Sequence, residues 1–478
     1  MQNTYQHSML FNSLQFIFFF IVVTLAYFSL PHRGRIWLLL LASCYFYAVF
    51  QPIYILILFV TIVVDYFAGI WIENAHGRKR KWLLVLSLIS NIGFLAYFKY
   101  YNFFVENINT IFFHFGSTTQ LALLKILLPI GLSFHTFQAM SYTIEVYRGN
   151  EKAEKDFAIY ALYVMFYPQL VAGPIERPQN VLWQFHKNFS YDFGNLKAGL
   201  MRMAWGMFKK VVIADRLAMV VDYSYDNPYD HNGLTLLVAT IFFTFQIYCD
   251  FSGYSDIAIG AARVMGFKLM ENFEAPYFSK SISEFWRRWH ISLSGWFRDY
   301  LYIPLGGNRV GEFRKYFNLF FVFMMSGLWH GAAWTYIVWG ALHGVYLVMA
   351  ELRKRYISFK AEKYFSEKII NTFNLSFTFL LVMITWVFFR AKGMSNAKVI
   401  LSKILHLEKY SSVVASPFSI NEMLFCWFLI ALLLLKDRFQ MQIRTENSTQ
   451  FYLKFTVLVV LCYFFGVFTS NQFIYFQF

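Results

Sequence analysis

Tyr316–Ala350, YFNLFFVFMMSGLWHGAAWTYIVWGALHGVYLVMA, is apolar over 35 residues. Basic residues bound it on both sides: Arg309, Arg314 and Lys315 before it, Arg353, Lys354 and Arg355 after it. A helix needs about 20 apolar residues to span the hydrocarbon core. Loops on the cytoplasmic side carry an excess of Lys and Arg. Both flanks therefore read as cytoplasmic, and the stretch should enter the membrane and return. Two runs of about 15 residues are each about 22 Å long at 1.5 Å per residue, which places the break at His330-Gly331 deep, short of the far headgroups. Non-helical backbone at that depth is tolerated only where it lines a protein-enclosed cavity.

The rest of the chain reads the same way. Long apolar runs occur at Leu14–Leu30, Ile36–Phe50 and Pro52–Ile72, and at 82–104, 121–142, 157–173, 198–221, 234–251, 371–389, 422–436 and 451–469. A transmembrane barrel would show short alternating strands instead. Of the 478 residues, 58% are hydrophobic and only 14% charged, against about 25% charged in a soluble domain. Mean hydropathy is +0.45. The expectation is an all-α, multi-pass integral membrane protein with roughly 11–13 membrane segments, some of them re-entrant or interfacial. It reads as one membrane-embedded domain over 1–478, with its motifs in 128–350, C-terminal helices in 371–469 and an aromatic tail at 472–478.

Cys44, Cys249, Cys426 and Cys462 all lie in apolar runs, without a CxxC or a histidine at ligand spacing. They read as buried small hydrophobes, and neither a disulfide framework nor a metal site is expected. Met1–Leu10 has no Lys or Arg, so no cleavable signal peptide is expected. The net charge of +15 invites a nucleic-acid reading, which the placement of the charge rejects. The basic residues sit in short loops, Arg78-Lys79-Arg80-Lys81 and Arg353-Lys354-Arg355 among them, beside anionic lipid headgroups. Counting crossings from His32, Arg33 and Arg35 places the N-terminus outside. Counting from Arg353–Arg355 places the C-terminus outside as well.

A second stretch, Ser281–Asn308, reads SISEFWRRWHISLSGWFRDYLYIPLGGN. Ser281 with Glu284 matches a capping box. Trp286, Trp289, His290, Leu293, Trp296, Phe297 and Tyr300 then recur at the spacing of one helix face, and Pro304 with Gly306-Gly307 ends the run. The spacing predicts one amphipathic helix over 282–300, interfacial or re-entrant, with His290 on its aromatic face. A buried imidazole is a natural general base. His330 beside its glycine break, His290, and His343 as a third member are the candidates. Each also has a packing reading as an intramembrane helix-bridging residue. Asp250 and Asp256 in YCDFSGYSD could fix a histidine tautomer, or cap a helix start after a glycine break.

These pieces resemble the membrane-bound O-acyltransferases. The matching segments are Leu128–His135 within LLPIGLSFHTFQ, Tyr167–Pro178 (YPQLVAGPIERP), Tyr248–Asp256, Phe285–Gly307 and SGLWHGAAW around His330. The likeness covers nearly the whole chain and is nearest the bacterial branch that acetylates alginate, peptidoglycan and cellulose, with teichoic-acid D-alanyl transferases as relatives. It implies that His330 is the catalytic base and His290 the second polar residue of the centre, with Trp329 supporting. It implies acetyl-CoA as donor, an extracytoplasmic polysaccharide acceptor, and an exported or membrane-anchored esterase-like acetyltransferase partner in the bacterial inner membrane. Arg287, Arg288, Arg298 and Arg309 could meet the anionic coenzyme, or snorkel at the interface. Tyr475 in the tail could relay the acetyl group outward as an aryl ester, as a similar tail in the teichoic-acid branch suggests by resemblance. The tail could equally be an aromatic interfacial anchor.

Two other classes compete. A transporter or flippase for a cell-envelope precursor would suit the breaks at Pro129-Gly131 and Gly173-Pro174, but the sequence carries no second copy of WHG, YCDFSG or the Trp/Arg helix. A non-catalytic scaffold predicts dispensable histidines.

Overall fold

The computed structural model describes residues 9–50, 52–125, 129, 131–170, 173–356, 363–406, 413–441 and 447–468. Within them the regular elements are helices, and the single β-bridge joins Phe273 to Trp289. In hydrocarbon the chain must satisfy its own amides, and a helix does so within one segment. Among the described residues six helices are long and apolar enough to cross a membrane: Tyr54–Asn74, Gly77–His114, Gly233–Val264, Trp334–Tyr356, Glu367–Arg390 and Ser448–Phe465. Leu14–Ser29 is a shorter apolar helix. Helix starts are capped where the sequence supplies a hydroxyl: Ser13 accepts from the Phe16 N–H, and Ser419 with Glu422 closes a full capping box.

Several of the expected runs do not become single uninterrupted helices: run 82–104 carries the π-helical turn Ala96–Tyr100, and in run 121–142 the helix begins only at Leu132. Run 157–173 gives Phe157–Met165 and a single turn, Tyr167–Leu170, because Pro168 lacks an amide hydrogen and its ring crowds the turn before it. Nine residues reach only about 14 Å, too short to cross. Run 198–221 is a helix interrupted by the π-helical turn Phe208–Ala214, a feature frequent at functional sites.

The chain forms two compact units. One contains 1–205, 254–270 and 445–455; the other contains 206–253, 271–444 and 456–478. In the first, a carboxylate holds neighbouring helices together. Buried Asp65 on Tyr54–Asn74 accepts from Ser87 Oγ at 2.6 Å and from Asn91 Nδ2 at 2.8 Å, both on the next helix. Such polar contacts act as glue where burying apolar surface gives no advantage over lipid.

The second unit is built on the hairpin read from the sequence. Glu312–His330 and Trp334–Tyr356 pack closely against each other, and Gly331–Ala333 turn the chain. At the open end Lys315 Nζ lies 2.5 Å from Glu351, and Arg355 pairs with Glu312. The helices have 19 and 23 residues, not the roughly 15 read from sequence, because charged residues at the open end continue both. The added residues are the charged flank, and the apolar part from Tyr316 to His330 is still about 22 Å long.

Candidate active site

His330 is the last residue of its helix, and glycines explain why it sits where it does. A Cβ on Gly331 would lie 2.2 Å from the Tyr336 ring. One on Gly327 would lie 2.2 Å from the Tyr336 carbonyl oxygen, and one on Gly340 would lie 2.3 Å from the Phe323 oxygen. Only glycine lets the two backbones of the hairpin approach this closely. The turn buries His330 to 4% exposure. Its ring meets Trp329 and Trp339 at centroid distances of 4.9 Å and Phe389 at 5.4 Å, all edge-on.

His290 is reached differently from the expectation. The predicted single helix over 282–300 is two helices, Ile282–Arg288 and Ile291–Phe297, followed by a π-helical turn at Arg298–Tyr302. Between them His290 has φ +43°, in the left-handed region. The face read from the spacing is nonetheless the buried one: Trp286, Trp289, His290, Leu293, Trp296, Phe297 and Tyr300 are all buried. Ser281 Oγ accepts from the Glu284 amide as expected, while the Glu284 carboxylate accepts from the Lys280 amide.

The break carries His290 to the same indole as His330. Its ring lies edge-on to Phe251 at 4.6 Å and 6.4 Å from Trp329, and Trp329 is 4.9 Å from His330. Two buried imidazoles thus share one tryptophan inside an enclosure that includes Trp289, Trp339, Trp386 and Phe389.

His343, the third candidate, lies on the same wall, 5.1 Å from Trp339. Its Nδ1 accepts from Trp286 Nε1 at 3.2 Å, and its Nε2 lies 3.0 Å from Thr385 Oγ1. The Thr385 hydroxyl donates to the Val382 carbonyl at 2.7 Å, so the hydrogen between His343 and Thr385 belongs to Nε2. Both nitrogens are thereby used in joining three helices.

Asp250 and Asp256 lie inside Gly233–Val264, away from a helix start. Asp250 pairs with Lys210 at 2.8 Å, and Asp256 pairs with Arg202 at 2.9 Å. Lys210 also meets Asp215 at 2.7 Å, and neighbouring Lys209 donates to Ser252 Oγ at 2.8 Å. Sequence reading missed this network. Its signal was present: two adjacent lysines inside the apolar run 198–221 are expensive at membrane depth without partners. The network flanks Phe251, whose ring meets His290.

Of the four arginines, Arg287, Arg298 and Arg309 are exposed. Arg288 is half-buried and pairs with Glu284 at 2.8 Å. Arg298 pairs with Asp299 at 2.7 Å, and that hydrogen bond pushes its guanidinium above its ordinary value. Tyr475 lies outside the described residues. Earlier in the chain, Val467 N–H donates to the Val211 carbonyl at 2.8 Å. Among the described residues no cluster of three or more His, Cys, Asp or Glu could hold a metal ion.

Residues 152–391, which include both histidines and the whole hairpin, match the membrane-bound O-acyltransferase family, MBOAT. The chain is 43% identical over 394 residues to the probable alginate O-acetylase AlgI of Pseudomonas aeruginosa, covering 81% of this chain and 73% of that protein. It is 38% identical over 439 residues to the peptidoglycan O-acetyltransferase of Helicobacter pylori, covering 84% and 81%. The teichoic acid D-alanyltransferase of Bacillus subtilis is similar over less, 29% identical across 45% of this chain and 57% of that protein.

Proposed function

Because this chain belongs to the membrane-bound O-acyltransferase family, we propose that it carries an acetyl group from cytoplasmic acetyl-CoA across the bacterial inner membrane toward hydroxyls of an extracytoplasmic polysaccharide. Alginate, peptidoglycan and cellulose are the acceptor types. An exported or membrane-anchored esterase-like transferase completes the delivery. The relatives named for alginate and peptidoglycan acetylation support the acceptor class, and the transporter alternative has no comparable support.

The observation that carries the reading is the pair of buried imidazoles on Trp329. In the proposed reaction His330 takes the proton of the attacking hydroxyl as its oxygen bonds to the thioester carbonyl. The tetrahedral intermediate then expels coenzyme A as thiolate, which receives that proton. His290 orients the acceptor or stabilises the oxyanion. The aromatic enclosure keeps water from the thioester. Exposed Arg287 and Arg309, with Arg288 and Arg298 released from their carboxylates, would meet the coenzyme phosphates. Tyr475 would be the attacking hydroxyl that relays the acetyl group to the partner.

The test is His330→Ala and His330→Gln in cells, scoring polymer acetylation against protein abundance. Loss of a general base should lower transfer by about 10²–10⁴-fold. Retention of more than half the acetylation at normal abundance rejects the assignment.

A further inference from the structure

Nothing between Ile282 and Ser294 breaks a helix by itself: ISEFWRRWHISLS contains neither Pro nor Gly. The break at Trp289-His290 is therefore imposed from outside. The segment beginning at Glu271 supplies it, running antiparallel to Arg288–Ser292. Glu274 N–H donates to the Arg288 carbonyl at 3.0 Å, and Ile291 N–H donates to the Asn272 carbonyl at 3.0 Å. These two bonds bracket the bridge between Phe273 and Trp289. The Asn272 side chain adds two more, its Oδ1 accepting from Ser292 Oγ at 2.8 Å and Ser292 N–H at 3.3 Å. Asn272 and Ser292 are each 1% exposed, and His290 is fully buried.

A left-handed backbone at a non-glycine residue persists only where its surroundings over-determine it. Among the described residues three non-glycine positions have positive φ, and two of them are His290 in this clip and Ala275 at the end of the facing segment. We propose that Asn272 is a positioning residue for His290. Its main-chain and side-chain carbonyls hold the first turn of Ile291–Phe297 so that the imidazole faces Phe251 and Trp329 and is not carried around a continuous helix. The proposal rests on the reading of His290 as part of the reaction centre.

The experiment uses the full-length protein in proteoliposomes with an alginate oligosaccharide as the hydroxyl acceptor, and kcat and KM for acetyl-CoA are followed by release of the free coenzyme thiol. Asn272→Ala should lower kcat per folded molecule about 10-fold to 10²-fold, the cost of a misplaced group, with KM near wild type and a lowered melting temperature, because Ser292 loses its buried acceptor. Asn272→Asp keeps an Oδ acceptor and should restore most of the rate. If Asn272 acts through His290, the double variant Asn272→Ala/His290→Ala should be no slower than His290→Ala alone. Wild-type turnover by Asn272→Ala beside a slow His290→Ala overturns the proposal, as does multiplication of the two losses. Wild-type turnover by His290→Ala instead removes the underlying reading. Should Asn272→Ala fail to accumulate, Ser292→Ala, which deletes one bond to Oδ1, decides. A lowered kcat at unchanged KM supports the clip, and a wild-type kcat overturns it.

Discussion

At His343 the hydrogen-bond partners decide what the side chain can do. Trp286 donates to Nδ1, and Thr385, committed to the Val382 carbonyl, receives the Nε2 hydrogen. Thr385→Val keeps the shape and leaves that hydrogen unsatisfied, which should cost about 1–3 kcal/mol of stability. A lowered melting temperature in detergent with turnover per folded molecule near wild type is the expected result. Tyr475 is tested in the opposite sense. Tyr475→Phe keeps the ring and its interfacial affinity but removes the nucleophile. The relay predicts normal membrane abundance and no polymer acetylation, whereas wild-type acetylation leaves only an anchor. The histidines were legible from sequence because imidazole in an apolar run is conspicuous. The partners of Asp250 and Asp256 were not, since Lys210 and Arg202 lie 40 or more residues earlier and no local periodicity links them.

Among the elements, the hairpin depends on glycine contact. A methyl at Gly340 would meet the Phe323 oxygen and press on Gly327. Gly340→Ala should part the helices at a cost of about 1–3 kcal/mol and lower turnover by shifting Trp339 against His330. A melting temperature and a rate both equal to wild type would remove the contact from the account. The hairpin was readable because hydrophobicity and flanking charge are local signals. The break at His290 was not, because the clip that makes it comes from a separate segment and the helical spacing continues through it. The short helix Ile282–Arg288 still invites a charge test. Charge reversal at Arg287 and Arg288 should raise KM for acetyl-CoA more than it lowers folding yield. An unchanged KM would return both to the interface.

For the molecule as a whole, composition settled the membrane class at once, since a chain with 14% charged residues cannot cover a water-facing surface of this size. The number of crossings did not follow, because runs 157–173 and 198–221 are apolar enough to span yet are broken by Pro168 and by a π-helical turn. Orientation is a matter for chemical labelling, and the cysteines make that simple. Cys249, Cys426 and Cys462 are buried, and Cys44 is half-buried on the apolar helix His32–Ala48. A membrane-impermeant maleimide added to intact cells should leave the natural chain dark. The protein is thus its own blank. A single cysteine placed near Lys354 should react only after the cells are opened, and one replacing Phe478 should react at once.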